Sequence, residues 1–140
     1  MEYQKTLKTL MKTKNLTAQE MAERTKTSTR WINNILSDPD WSPWLSTIIK
    51  LSEALGINAI QFVEYTEINT FTDNTQNPEF TPKKINLALR NVRHDCKLSQ
   101  TDLVKITHFQ LSSISLRENE RYKSYPYLRT LEVYCSAYAL

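Results

Sequence analysis

The sequence predicts an all-α fold made of two tandem helical units, and three observations carry that expectation. One stretch is written twice: Leu16-Thr17-Ala18-Gln19-Glu20-Met21-Ala22-Glu23-Arg24-Thr25 reappears 82 residues later as Leu98-Ser99-Gln100-Thr101-Asp102-Leu103-Val104-Lys105-Ile106-Thr107. After a one-residue slip the register resumes at an offset of 83, where Pro43, Leu45, Thr47, Ile48 and Ala54 face Pro126, Leu128, Thr130, Leu131 and Ala137. Helix-capping signatures and apolar residues at helical spacing frame each copy. The expected organisation is a first domain over 1–66, a linker over 67–80 and a second, divergent domain over 81–140.

The elements follow in order. A first amphipathic helix is predicted from Tyr3 to Lys14, with Leu7, Leu10 and Met11 on one face and lysines on the other. Thr17, with Glu20 three residues on, is a capping-box signature for a second helix whose Met21 and Ala22 point inward. Ser28 caps a third, in which Ile32 and Ile35 supply the buried face while Thr29, Arg30, Asn33 and Asn34 point out. The stretch Ser37-Asp38-Pro39-Asp40-Trp41-Ser42-Pro43 forces a loop before a helix from Ser46 to Gly56. Residues 57–65 predict a final capped turn or short helix, with Ile60, Phe62 and Val63 available to pack. The Asn- and Thr-rich segment 67–80 shows no helical period and reads as a linker, pinned to a domain by Phe71 and Phe80. Thr81 followed by Pro82 opens a long helix from Lys83 to about Cys96. The second unit stops at Leu140, the counterpart of Ile57, and is expected to lack the first unit's last segment.

Both copies resemble the helix-turn-helix of the Cro and lambda-repressor-like (XRE) family of DNA-binding regulators, over about residues 3–65 and 82–140. The resemblance implies two tandem domains of four to five helices each, operator binding as a homodimer, and control of transcription. It also implies that bases are read by the first two outward residues of the second helix of each pair and by another about a turn and a half later. In the first unit these positions match Thr29, Arg30 and Asn34. Arginine takes guanine bidentately and asparagine takes adenine, which suits the major groove. Ser28, Trp31 and Asn33 stand beside them as additional contacts; Trp31 packs either on sugar and a thymine methyl or on the domain's own edge.

The second unit places Leu111, Ser112 and Leu116 at the matching positions, two of them apolar where hydrogen-bonding groups belong. Arg117 falls where the first unit has Ile35, so either this helix is shifted by a residue or the pattern has drifted. Gln100 matches the family's phosphate-contacting glutamine, and Arg90, Arg93, Lys97, Arg121 and Lys123 remain as backbone contacts or as solvated surface. Tyr134 and Tyr138 replace Leu51 and Leu55 and read as core, whereas Tyr122, Tyr125 and Tyr127 lie in or near a loop and suit a protein interface with Leu111 and Leu116.

Composition narrows the function classes. The net charge of +3 divides as 8 basic against 7 acidic residues in 1–66 and 10 against 8 in 67–140, which permits nucleic-acid binding without pointing to it. A single glycine, Gly56, argues against a Gly-rich phosphate loop, and no cofactor is expected. No apolar run approaches the roughly 18 residues of a membrane span and the N-terminus is polar, so the expected location is cytoplasmic, and the Asn15-Leu16-Thr17 sequon goes unused. Cys96 and Cys135 are expected as two buried free thiols rather than a disulfide or metal pair. His94 and His108 lack zinc spacing, and no Ser-His-Asp or Cys-His constellation is organised, so neither a metal nor an enzyme activity is expected. The leading expectation is a sequence-specific DNA-binding transcriptional regulator, a repressor of bacterial, phage or mobile-element origin, acting on a double-stranded operator. The alternative is a protein-binding inhibitor or adaptor, anti-CRISPR-like or antirepressor, that grips a protein through residues 81–140 and keeps the first unit for autoregulation.

Overall fold

A computed structural model describes residues 3–65 and 80–138, which are all-helical with nine helices among them. The chain divides into two compact units, Met1–Pro78 and Glu79–Leu140. The linker expectation for 67–80 falls, apart from Phe80, outside the described residues.

The first unit holds α1 (Tyr3–Thr13), α2 (Ala18–Thr25), α3 (Thr29–Leu36), α4 (Leu45–Leu55) and α5 (Ala59–Val63). Thr17 caps α2 by accepting the Glu20 backbone N–H, and the Glu20 carboxylate takes the Thr17 hydroxyl at 3.2 Å. Lys26 ends α2 in the left-handed region at φ 57, leaving only Lys26, Thr27 and Ser28 between the two helices. Ser28 then accepts from the Trp31 N–H at 3.0 Å and starts α3. Tyr3, Leu7, Leu10 and Met11 of α1, Met21 of α2, Ile32 and Ile35 of α3, Leu45, Ile48, Leu51 and Leu55 of α4, and Phe62 of α5 are all buried. Each fully buried aliphatic or aromatic side chain contributes about 1.5–3 kcal/mol. In the last segment Ile57, Ala59 and Phe62 are buried, whereas Ile60 stays exposed and Val63 is half-buried.

The second unit repeats the first four helices as α6 (Pro82–Asp95), α7 (Gln100–Thr107), α8 (Leu111–Arg117) and α9 (Leu128–Ala137). The repetition extends to the backbone: Asn15 and Lys26 have positive φ, and so do Lys97 and His108 at the same offset. Thr25 and Thr107 each donate a hydroxyl to a carbonyl one turn back, Met21 and Leu103, at 2.7 Å. Ser99 and Asp102 form a complete capping box, and these hydrogen bonds hold the Asp102 carboxyl below the usual aspartate range.

The cores differ in kind. Where the first unit packs Met11, Ile35 and Leu36, the second has Arg93, Arg117 and Glu118, and all three charged side chains are buried. Arg93 Nε donates to both Glu118 carboxylate oxygens at 3.0 and 2.9 Å, and its Nη2 donates to Oε1 at 2.8 Å. Its Nη1 reaches the Leu98 carbonyl, tying α6 to the turn before α7. Arg117 donates to Asn86 Oδ1 and the Ser124 carbonyl and lies 4.8 Å over the Tyr122 ring. Asn86 in turn donates to the Asn119 and Tyr122 carbonyls. Thus α8 is not shifted: Ile114 and Arg117 take the inward places of Ile32 and Ile35, and the residue type has changed instead. Burial depresses the Arg117 pKa, whereas the hydrogen bond to Glu118 raises that of Arg93. The apolar cluster beneath consists of Leu89, Leu103, Ile114, Tyr134 and Tyr138, so the two tyrosines do form core.

The cysteine expectation is corrected. Both thiols are free but exposed. In the first unit α5 packs against α4, and Ser52 is sealed with its hydroxyl on the Ile48 carbonyl. Among the described residues no element follows α9 in the second unit, and Cys135, the counterpart of Ser52, is open.

The buried ion pair sets a stability test. Glu118→Ala leaves the Arg93 guanidinium buried without its partner and is expected to cost about 3–5 kcal/mol in urea unfolding. Arg93→Met with Glu118→Leu, which restores the first unit's residue types, is expected to be neutral or stabilising by about 1–4 kcal/mol. A double variant as unstable as the single one contradicts this account. Alkali tests the aromatic core: burial pushes the Tyr134 hydroxyl from 10.0 up to about 12, and that of Tyr138 is raised too. Stability from keeping these phenols protonated is full below pH 10 and declines as pH climbs towards 12. Thermal melts across that window should fall, with a shallower fall for Tyr134→Phe.

Candidate nucleic-acid interface

The outward arc of α3 is polar. At 3.6 residues per turn Thr29, Arg30, Asn33 and Asn34 lie within about 140° of one another, opposite Ile32 and Ile35. All four are exposed, and none of their side chains is tied to another described residue by a hydrogen bond or ion pair. The helix contains no acidic residue, so the Arg30 guanidinium meets no carboxylate within it. Ser28 is exposed but its hydroxyl oxygen is used as the cap, and Trp31 is half-buried at the margin of the arc. Asp38 and Asp40 follow on an exposed loop and discourage a phosphate on that side.

The equivalent arc of α8 carries Leu111, Ser112, Ser115 and Leu116, with no charged group. Leu111 is 49% and Leu116 47% exposed, so neither leucine is absorbed into the core. Gln100 is already engaged at both ends of its amide: Nε2 donates to Glu118 Oε1 at 3.4 Å, and Oε1 accepts from Ser115 Oγ at 3.1 Å. It borders an open recess of about 370 Å³ also lined by Arg90, Glu118, Asn119, Glu120 and Arg121. Arg90 is paired there with Glu120 at 3.1 Å. Two carboxylates at this mouth and a committed amide leave little for a phosphate. Tyr122 is half-buried on Arg117, Tyr125 is half-buried, and Tyr127 is exposed at the start of α9.

The sequence reading missed Glu118 and Asn86, the hubs that hold α8 in place. Their signal was present at the repeat offset, where Met11, Ile35 and Leu36 become Arg93, Arg117 and Glu118 together, two positive charges and one negative in place of three apolar residues. Among the described residues no group of three or more His, Cys, Asp or Glu is placed to hold a metal ion, and no helix is long and apolar enough to cross a membrane. No family model, curated protein or solved structure matches this chain.

Because Leu111 and Leu116 are half-exposed, Leu111→Glu with Leu116→Glu is expected to change unfolding free energy by no more than about 0.5 kcal/mol per site. A collapse of the second unit in the melt would show instead that these leucines are needed for its packing.

Proposed function

We propose that this chain is a sequence-specific DNA-binding transcriptional regulator in which α2 and α3 act as a helix-turn-helix of the Cro and lambda-repressor-like type. The single observation that carries this reading is the exposed arc of Thr29, Arg30, Asn33 and Asn34 on a short helix anchored from behind by Ile32 and Ile35. A major groove about 12 Å wide admits such a helix, and Arg30 and Asn34 offer the guanine and adenine chemistry that distinguishes base pairs there. Thr29 accompanies them, while Asn33 and Trp31 lie where sugar or base-edge contacts fall. The tandem helix-turn-helix architecture, operator binding as a homodimer, repression and a cytoplasmic setting belong to this same proposal.

One observation favours a different job for the second unit. Exposed Leu111 and Leu116 without hydrogen-bonding neighbours of the right kind, and a Gln100 already spent on Glu118 and Ser115, oppose base readout. A protein-contacting role for residues 81–140 fits that surface better. This is also what supports the adaptor reading, in which the first unit serves autoregulation.

Selection of bound duplexes from a random pool tests the proposal. Wild-type protein should enrich one motif, and Arg30→Ala or Asn34→Ala should each lose about 1–3 kcal/mol on it and relax preference at one base pair. No enriched motif, or unchanged affinity and preference in both variants with helicity intact, removes the assignment of α3 as the reading element.

A further inference from the structure

We propose that α1 of the first unit presents a second, sequence-independent DNA-binding edge, formed by Lys5, Lys8 and Lys12, which grips the phosphate strand beside the groove read by α3. The inference rests on the reading of the first unit as a DNA-binding module and adds a surface to it.

The three lysines are exposed and, at 3.6 residues per turn, fall within about 60° of one another on α1. They occupy about 10 Å of helix axis at 1.5 Å per residue, and about 10 Å of duplex axis presents about three phosphates per strand at 3.4 Å of rise each. The helix itself contains no acidic residue to neutralise them. Lys8 and Lys12 are four apart and Lys5 and Lys8 three apart, so each pair repels by a few tenths of a kcal/mol in the isolated helix. A polyanion relieves that repulsion, and its displaced counterions supply affinity.

The position of this edge links it to α3. Gln4 lies on α1 between the buried arc and the lysines, and its side-chain amide donates to the Leu36 carbonyl at the C-terminal end of α3. The lysine edge therefore borders the end of the same helix that carries Arg30 and Asn34. Asp38 and Asp40 on the loop beyond limit the basic surface on that side, which confines the strand to the α1 flank.

The second unit supplies an internal comparison. The counterparts of Lys5, Lys8 and Lys12 are Leu87, Arg90 and His94, and Arg90 is consumed by Glu120 at 3.1 Å. The uncompensated basic edge thus occurs in the unit with the polar reading arc and not in the one with exposed leucines. Charge complementarity selects a phosphate backbone as the occupant.

The test uses the full chain and the triple variant Lys5→Gln, Lys8→Gln, Lys12→Gln, a change that keeps helix propensity nearly constant. Binding to the selected duplex and to an unrelated duplex of equal length is followed by fluorescence anisotropy between 50 and 200 mM salt, the range over which phosphate contacts register strongly. The expected result is weaker binding to both duplexes, a slope of log K against log salt smaller by about 2–3, and an unchanged preferred sequence. An unchanged slope in the triple variant, where the wild type does select a motif, overturns the lysine edge alone. A lysine-dependent slope with no selected motif upholds the edge and sinks base reading by α3. No binding of wild type to either duplex, or lysine-dependent capture of polyglutamate without any effect on DNA, overturns the edge as a phosphate-strand site.

Discussion

The short helices α3 and α8 are each held to their core by two inward side chains, and both units are built around that constraint. In α3 the two are Ile32 and Ile35; in α8 they are Ile114 and Arg117. Most of the other side chains on these helices are exposed, and the two anchors and the flanking caps hold the helix still. The three-residue turns before them leave little freedom, since Lys26 and His108 each end the preceding helix in the left-handed region. The outward surface is therefore presented by a rigid base rather than by a loop.

The two units meet this constraint with different physics. The first uses apolar contact, with Ile32 and Ile35 buried on a helix that packs against α1 and α2. The second accepts a buried guanidinium at the anchor position and stabilises it with Asn86, the Ser124 carbonyl and the Tyr122 ring, beside the Arg93–Glu118 pair. Such a network is directional. It fixes the α6–α8 geometry through hydrogen-bond angles rather than through volume, and it remains satisfied: among the described residues no buried side-chain nitrogen or oxygen lacks a partner. Its consequence reaches the surface, because Glu118 also draws in Gln100 and withdraws an amide that could otherwise face outward.

The outward faces diverge in the same direction as the cores. Polar, uncommitted groups on α3 accompany an uncompensated lysine edge on α1, while the uncharged outward arc of α8 accompanies paired charges around Arg90 and Glu120. On our proposal the first surface suits a polyanion and the second a protein. That division of labour is the proposal's content, and it follows from side chains that the shared backbone leaves free.

The sequence by itself determined the helices, their caps and the inward and outward residues of α3, because these depend on near neighbours at 3.6-residue spacing and on the repeat. It also marked Tyr134 and Tyr138 as core, since they replace leucines in register. Tertiary structure alone decided the rest. Whether Arg117 signalled a shifted helix or a charged anchor turned on Asn86, 31 residues away, and Glu118 became a hub only once Arg93 stood beside it. The cysteines were misjudged for the same reason: Ser52 is covered by what packs on α4, and no local pattern in α9 tells whether Cys135 receives the same cover. Helical periodicity reports which face a residue occupies, but burial is set by what distant chain arrives against that face.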